Sequence, residues 1–215
     1  MRTATDFNLF YATPDPWRLK RTPFRDRALR RQLRRFITDN DILELGCGEG
    51  HLTETLFADA RSVIGIDISD TAIARAKARN LPNARFEAAD FLRLQVSFAG
   101  FDVIVLLEVL HYLSFEEQCE FFAKVAREHR HKPLIVSAPI IGENGHRRYF
   151  THAELLEMFR RHGFSVLEWH NIFPNQRTPA EIIAARLVRL PFCLPLLDLL
   201  PERFVYQRAY AVIRN

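Results

Sequence analysis

The sequence is poor in cysteine, and its three cysteines, Cys47, Cys119 and Cys193, are scattered. No two of them have C-x-x-C spacing. That argues against a disulfide framework and a zinc site, and it suits a reducing, cytoplasmic compartment. A long uninterrupted apolar run is also missing. Met1 to Phe10 holds none, so no secretory signal is expected. The most apolar late stretch, Ile182 to Leu200, is broken by Arg186, Arg189, Pro191, Pro195 and Asp198, so stable membrane insertion is not expected. Internal repeats and low-complexity tracts are absent. Charge of one sign does not dominate either: 30 Lys and Arg face 26 Asp and Glu, and a formal charge of +4 implies no polyanionic partner. What is present is ordinary for a globular chain. Of 215 residues 48% are apolar and 26% charged, with 18 phenylalanines. This length suits one domain whose core needs no disulfide or metal staple.

Residues 1–23 carry Pro14, Pro16 and Pro23 and read as an arm with a short helix at most. Phe24, Ala28, Leu33, Phe36 and Ile37 then recur at helical spacing, opposite Arg27, Arg30, Arg31, Arg34 and Arg35. Beyond this helix strands and helices alternate. Strands are expected at Asp41–Leu45, Ser62–Asp67, Ala84–Glu87, Phe101–Leu107 and Leu134–Ala138. Helices are expected at His51–Ala58, Asp70–Arg79, from Ser114 to about Glu128, and from Thr151 to Arg161. Ser114-Phe-Glu-Glu117 and Thr151-His-Ala-Glu154 are capping boxes, and Gly163 stands just past the last of these helices. Such alternation implies an α/β, doubly wound, Rossmann-like fold with a mostly parallel sheet. After Gly163 the order changes. Phe164–Phe173 and Tyr206–Ile213 read as a terminal antiparallel hairpin, and its connection, roughly 175–203, as a helical insert or lid. The whole chain, 1–215, is read as one domain, with 1–37 its arm and first helix.

The sharpest local signal is Glu44-Leu-Gly-Cys-Gly-Glu-Gly50, where the first strand meets a helix. Glycines there allow a tight turn and let a ligand lie against bare peptide groups. The dinucleotide fingerprint needs its third glycine at the position of His51, so this G-x-G-x-G loop fits a nicotinamide or flavin cofactor poorly. It resembles the first motif of the class I S-adenosylmethionine-dependent methyltransferases, and the resemblance covers about residues 40–170. Val63-Ile-Gly-Ile-Asp67 ends its strand in an acid, Ala89-Asp-Phe91 is similar to the family's adenine motif, Phe101 to Leu113 to its fourth-strand motif, and His162-Gly-Phe-Ser165 to the turn before its terminal hairpin. The resemblance implies S-adenosyl-L-methionine as cofactor and S-adenosyl-L-homocysteine as product. It implies a site of Glu44, Gly46, Cys47, Gly48, Gly50, Asp67, Ile68, Asp90, Phe91 and Leu107. In that site Asp67 takes the ribose hydroxyls, Asp90 and Phe91 take the adenine, and Glu44 offsets the ligand's ammonium. Cys47 is expected to contribute only its backbone.

The arm adds Asp15-Pro-Trp-Arg18 and Thr22-Pro-Phe24, similar to the start of the NodS-like nodulation N-methyltransferases. That branch methylates an amino sugar and places its arm over the cofactor. By this likeness Trp17 packs on the ligand and Arg18 reaches its carboxylate. Methyl transfer is an in-line displacement from a good leaving group, so alignment and exclusion of water are the main requirements. The end of the fourth strand should face the methyl group, which makes His111 and Glu108 the candidate catalytic residues. His111, with an ordinary pKa of about 6.5, suits a base near neutrality. His146, Arg147 and Tyr149 follow the fifth strand on the same rim and are candidates for touching the acceptor. No metal site is expected.

The expected activity is methylation, at nitrogen, of a small-molecule or sugar acceptor. Methylation at oxygen remains open, as do a nicotinamide-dependent oxidoreductase and a binding module that keeps the fold without catalysis. An RNA methyltransferase is disfavoured, because Leu107-Glu-Val-Leu110 stands where an N/D-P-P-Y/F motif would be. The arginine-rich helix has no interleaved aromatics to stack bases, so no nucleic-acid partner is expected. A homodimer stays open.

Overall fold

The computed structural model describes residues 3–94, 96–144, 147–190 and 193–214. Strands β1 (Asp41–Leu45), β2 (Ser62–Asp67), β3 (Ala84–Ala88), β4 (Val103–Leu107), β5 (Pro133–Pro139), β6 (Phe164–Pro174) and β7 (Val205–Arg214) form a single sheet. Its order is β3-β2-β1-β4-β5-β7-β6. The first five strands run parallel, with Glu44 beside Gly65 and Val105. β7 inserts antiparallel between β5 and β6, which makes the expected terminal hairpin. The order reverses between β1 and β4, where doubly wound sheets open a crevice at their carboxyl ends.

The period-two alternation of side chains divides the strands between two faces. Ile42, Val63, Val103, Val105, Leu107 and Ile135 pack against Leu29, Leu33, Phe36 and Ile37 of α2 (Pro23–Ile37) and Leu56 of α3 (His51–Leu56). Leu43, Leu45, Ile104, Leu106, Leu134 and Val136 pack on the other face. There they meet Phe121, Phe122 and Val125 of α5 (Phe115–Glu128) and Leu155 and Phe159 of α6 (His152–Arg161). β4 is buried along its whole length, and each such aliphatic side chain contributes about 1.5–3 kcal/mol by leaving water. Both capping boxes form as the sequence predicts. Ser114 Oγ accepts from Glu117 N–H and Thr151 Oγ1 from Glu154 N–H, each interaction contributing about 1 kcal/mol. α3 is shorter than expected: it stops at Leu56, capped by Phe57, whose ring is fully buried and turns the chain back into the core. α4 (Asp70–Ala78) begins at the cap Ser69.

The arm contains a helix, α1 (Ala4–Phe10). Asn8 Oδ1 accepts from Ser69 Oγ at 2.7 Å and from Thr71 N–H, which docks the arm on the start of α4. The connection between β6 and β7 holds α7 (Pro179–Val188) and a 3-10 segment, Leu194–Leu199. Val188 and Leu197 pack with Phe24 and Ala28 of α2 and with Phe173. Asp198 accepts from Asn171 N–H at 2.8 Å and pairs with His170 Nδ1 at 2.9 Å. This segment therefore backs α2 and β6. None of its described residues lines the cavity at the carboxyl ends of the strands.

Candidate active site

A cavity of about 380 Å³ runs along the carboxyl ends of the strands, a size suited to a small-molecule site. Its wall follows the sheet order. Asp90 and Phe91 stand after β3, Asp67 and Ile68 at the end of β2, and Gly46, Cys47 and Gly48 after β1. Leu107, Glu108, Val109 and His111 end β4, and Pro139 and Gln207 complete the far side.

The glycine loop is shaped by contacts that no side chain would allow. Gly46 has φ +79°, and a Cβ there would lie 2.2 Å from Val109 Cγ2. Gly48 has φ +54°, and a Cβ would lie 2.7 Å from the Tyr11 hydroxyl. Both conformations suit glycine. Gly48 N–H donates to Asp67 Oδ2 at 2.8 Å, and Ser69 N–H donates to Asp67 Oδ1 at 2.9 Å. Asp67 is thus aimed at the loop, and burial raises its pKa against those backbone bonds. Asp90 Oδ1 accepts from Leu92 N–H at 3.0 Å, and the Phe91 ring packs edge-on to Phe121.

The remaining residues expected from the sequence divide. Cys47 is buried among Ile73, Ala76 and Phe86, and burial, reinforced by Glu44 and Asp67, pushes its thiol up. Trp17 lines the cavity, stacks on Phe10 with ring centroids 4.3 Å apart and donates from Nε1 to the Tyr11 hydroxyl. Three residues do not line the cavity. Gly50 caps α3 at φ +71°. Glu44 is 2% exposed and accepts from Thr53 Oγ1, because the β1 alternation turns it toward α3 with Ile42. Burial pushes its carboxyl up to about 7, against the Thr53 bond and aided by Asp67. Arg18 is exposed at φ +53°, on a turn that leads it away. His146 lies outside the described residues, and of Arg147 only the backbone is described.

At the β4 end, Glu108 sits at φ +59°, a sparsely populated conformation for a residue with a side chain. Its N–H donates to Ser137 O at 3.0 Å, and Ser137 Oγ donates to Glu108 Oε1 at 2.9 Å. Burial pushes this carboxyl up to about 7, opposed by the Ser137 bond, the charge of Arg25 and a bond from Gln207. The His111 ring tilts against Tyr112 at 4.3 Å and Tyr149 at 5.4 Å. Tyr206, also on the wall, has its pKa raised to about 12, first by burial and then by Glu108.

One cluster escaped the sequence reading. Arg25 is 8% exposed and lines the cavity. Its Nε and Nη2 donate to Asp26 Oδ1 at 3.2 and 2.8 Å, and His51 Nε2 meets Asp26 Oδ2 at 2.8 Å. Burial alone would raise the Asp26 carboxyl, but His51 and Arg25 hold it below its ordinary value. Nη1 of Arg25 makes no hydrogen bond to a described residue. The signal was present: Arg25 lies four residues before Leu29, on the apolar stripe rather than the solvated one. Glu49 was missed too. It accepts from Asp15 N–H and pairs with Arg75, tying loop, arm and α4 together.

A reversal-point crevice, bare peptide groups at a G-x-G-x-G loop and an acid bonded to that loop define a nucleotide-cofactor site of the doubly wound class. Comparison with known proteins makes the class specific. Residues 42–131 match the model of the methyltransferase domain family. An uncharacterized methyltransferase of Anoxybacillus flavithermus is 30% identical over 150 residues, which cover 59% of this chain and 70% of that one. Nodulation protein S of Bradyrhizobium diazoefficiens is 33% identical over 107 residues, covering 47% and 51%. The chain belongs to the class I S-adenosylmethionine-dependent methyltransferases, and its resemblance runs to the NodS-like branch. It spans 36% to 55% of the length of the mycobacterial methyltransferases it also matches. The fold agrees along its length: N-methyltransferase NodS from Bradyrhizobium japonicum, in complex with S-adenosyl-L-homocysteine, superposes with a TM-score of 0.68. That match has 21% identity and covers 100% of this chain and 99% of the other.

Proposed function

We propose that this protein transfers the methyl group of S-adenosylmethionine to a nitrogen of a small-molecule or sugar acceptor. The observation that carries the reading is Glu108, a carboxyl pushed up to about 7 at the end of β4, on the cavity wall. A carboxylate of that basicity is better matched to an ammonium than one at its ordinary value. An alcohol, far less acidic, would demand a stronger base. Aromatic faces from Trp17, Tyr112, Tyr149, Tyr206 and Phe173 surround the space and suit the flat side of a sugar or heterocycle. The N-methyltransferase named NodS shares the fold, which supports nitrogen as the target.

In this reading the cofactor lies along the sheet order. Asp90 and Phe91 flank the adenine, Asp67 takes the ribose hydroxyls, and the glycine loop carries the amino-acid tail. The open Nη1 edge of Arg25 receives the tail's carboxylate, the role the sequence assigned to Arg18. Asp26 and His51 hold the guanidinium in place for it. Glu108 takes the acceptor's proton, and His111 shapes the acceptor side with Tyr112 and Tyr149. The test offers methyl-labelled cofactor with amines, amino sugars and their hydroxyl counterparts. Label on nitrogen is expected. Label confined to oxygen in the products would overturn the reading.

A further inference from the structure

The segment between β6 and β7 turns one apolar face inward and leaves a second one outside. Val188 and Leu197 are buried against α2, yet Ile183 is 59%, Leu187 56% and Leu190 52% exposed. These three lie at i, i+4 and i+7, a single stripe along α7 and its C-terminal turn. Leu196 and Leu199, further along the segment, are exposed as well. With Ile182, six large aliphatic side chains among the described residues of one short segment face water, which requires an explanation.

The charges of the segment are sorted by direction. Arg177, Arg186, Arg189 and Arg203 are all exposed. Each acid has a hydrogen-bond or ion-pair partner, and Asp198 and Glu202 bond to the strands behind. Glu181 accepts from the backbone of Arg177 and Thr178, Asp198 from His170 and Asn171, and Glu202 pairs with the buried Arg208 at 3.2 Å. The exposed surface of the segment thus carries aliphatic side chains and four guanidinium groups, with Glu202 the one exposed acid among its described residues. A second copy of the chain fits this face badly. A two-fold contact would bring the same arginines against each other. No helix among the described residues is long and apolar enough to cross a membrane, so a lipid surface would be met from outside.

We propose that this face docks reversibly on an anionic lipid surface. The aliphatic stripe enters the headgroup boundary and the arginines meet the negative headgroups, as interfacial amphipathic helices do. Docking also concerns the site. The Arg189 guanidinium lies 5.5 Å from the centre of the Phe173 ring, and Phe173 lines the cavity. Phe173 thus links an arginine of the docking face to the cavity wall.

Vesicle co-sedimentation tests this on the intact chain, with phosphatidylcholine vesicles and with vesicles of equal parts phosphatidylglycerol and phosphatidylcholine. Binding to the anionic vesicles alone, weakened by salt, is the expected result. Leu187→Asp should weaken it by more than ~tenfold, and the pair Arg186→Gln and Arg203→Gln by roughly 10- to 30-fold. The melting temperature and S-adenosylhomocysteine affinity should stay unchanged in both variants, which keeps the cofactor reading separate from this one. Three outcomes would overturn the proposal. They are no binding to anionic vesicles at low salt, equal binding to both vesicle types, or a dimer in light scattering that Leu187→Asp dissociates without any lipid binding in the parent.

Discussion

Replacing Arg25 by methionine keeps much of the side chain's length and apolar stem while removing its charge. If Arg25 receives the cofactor's carboxylate, the variant loses a charge-assisted hydrogen bond made in a nearly dry corner of the cavity. Such bonds contribute about 1.5–3 kcal/mol, so S-adenosylhomocysteine should bind roughly 10- to 150-fold more weakly. The figure is for one such bond. Nε and Nη2 already serve Asp26 Oδ1, and Nη1 is the nitrogen left over. Titration calorimetry with two ligands isolates the effect. S-adenosylhomocysteine carries the amino-acid tail, whereas 5′-methylthioadenosine keeps the adenine, ribose and sulfur and lacks it. The first should lose affinity and the second should not. The variant also leaves Asp26 with His51 as its remaining partner. Arg25→Met combined with Asp26→Asn removes that buried anion, and melting curves of both variants report whether the fold holds. Equal losses for the two ligands would mean a damaged wall. Unchanged binding of S-adenosylhomocysteine in a folded variant would refute the assignment outright.

Asp67→Ala should cost about 1–3 kcal/mol of S-adenosylhomocysteine affinity, because ribose hydroxyls would be left without their acceptor. The loss should appear equally with 5′-methylthioadenosine, and an unchanged affinity would place the ribose elsewhere. With an acceptor in hand, Glu108→Gln should lower kcat by roughly 10²–10⁴-fold and remove a rise of rate with pH centred near 7, since the base works only when deprotonated. His111→Ala should leave that rise in place, and its disappearance there would make His111 the base. The same shift bears on stability. The raised carboxyl of Glu108 gives a contribution fully present below its ordinary value of 4.5 and lost as pH rises through about 7. The melting temperature should therefore fall across that window, and fall less in Glu108→Gln.

Much of the fold was legible because its elements are marked locally. Ser114 and Thr151 open helices with capping boxes that any reader of the chain can see, and the β1 and β2 boundaries follow from apolar runs that end at glycine or acid. The terminal hairpin could be read because the strand–helix alternation breaks after Gly163 and Phe164–Phe173 and Tyr206–Ile213 carry the next strand patterns. The Arg25 cluster was harder to see for a physical reason. A helix projected on its apolar stripe suggests that every arginine belongs to solvent, and a buried cation is costly unless paired. Asp26 supplies the pair from the adjacent residue, and adjacency hides it, since neighbours in a helix do not normally face one another. Glu44 poses the opposite problem. The motif position identifies it, but only the strand alternation and Thr53, nine residues on, show that its carboxyl turns into α3 and away from the cavity.

The arm has a consequence for turnover. Tyr11 rests on Gly48, Asn8 is bonded to the start of α4, and Asp15 N–H donates to Glu49. Each of these contacts joins a residue from the first fifteen to the loops that frame the cofactor. If the cofactor lies beneath them as proposed, its release requires these contacts to part. Product escape then depends on how often the arm opens, and Asn8→Ala is expected to raise the off-rate of S-adenosylhomocysteine. The Asp15 bond is made by its backbone N–H, so Asn8 and Glu49 are the side chains whose replacement should loosen the arm and speed release of S-adenosylhomocysteine.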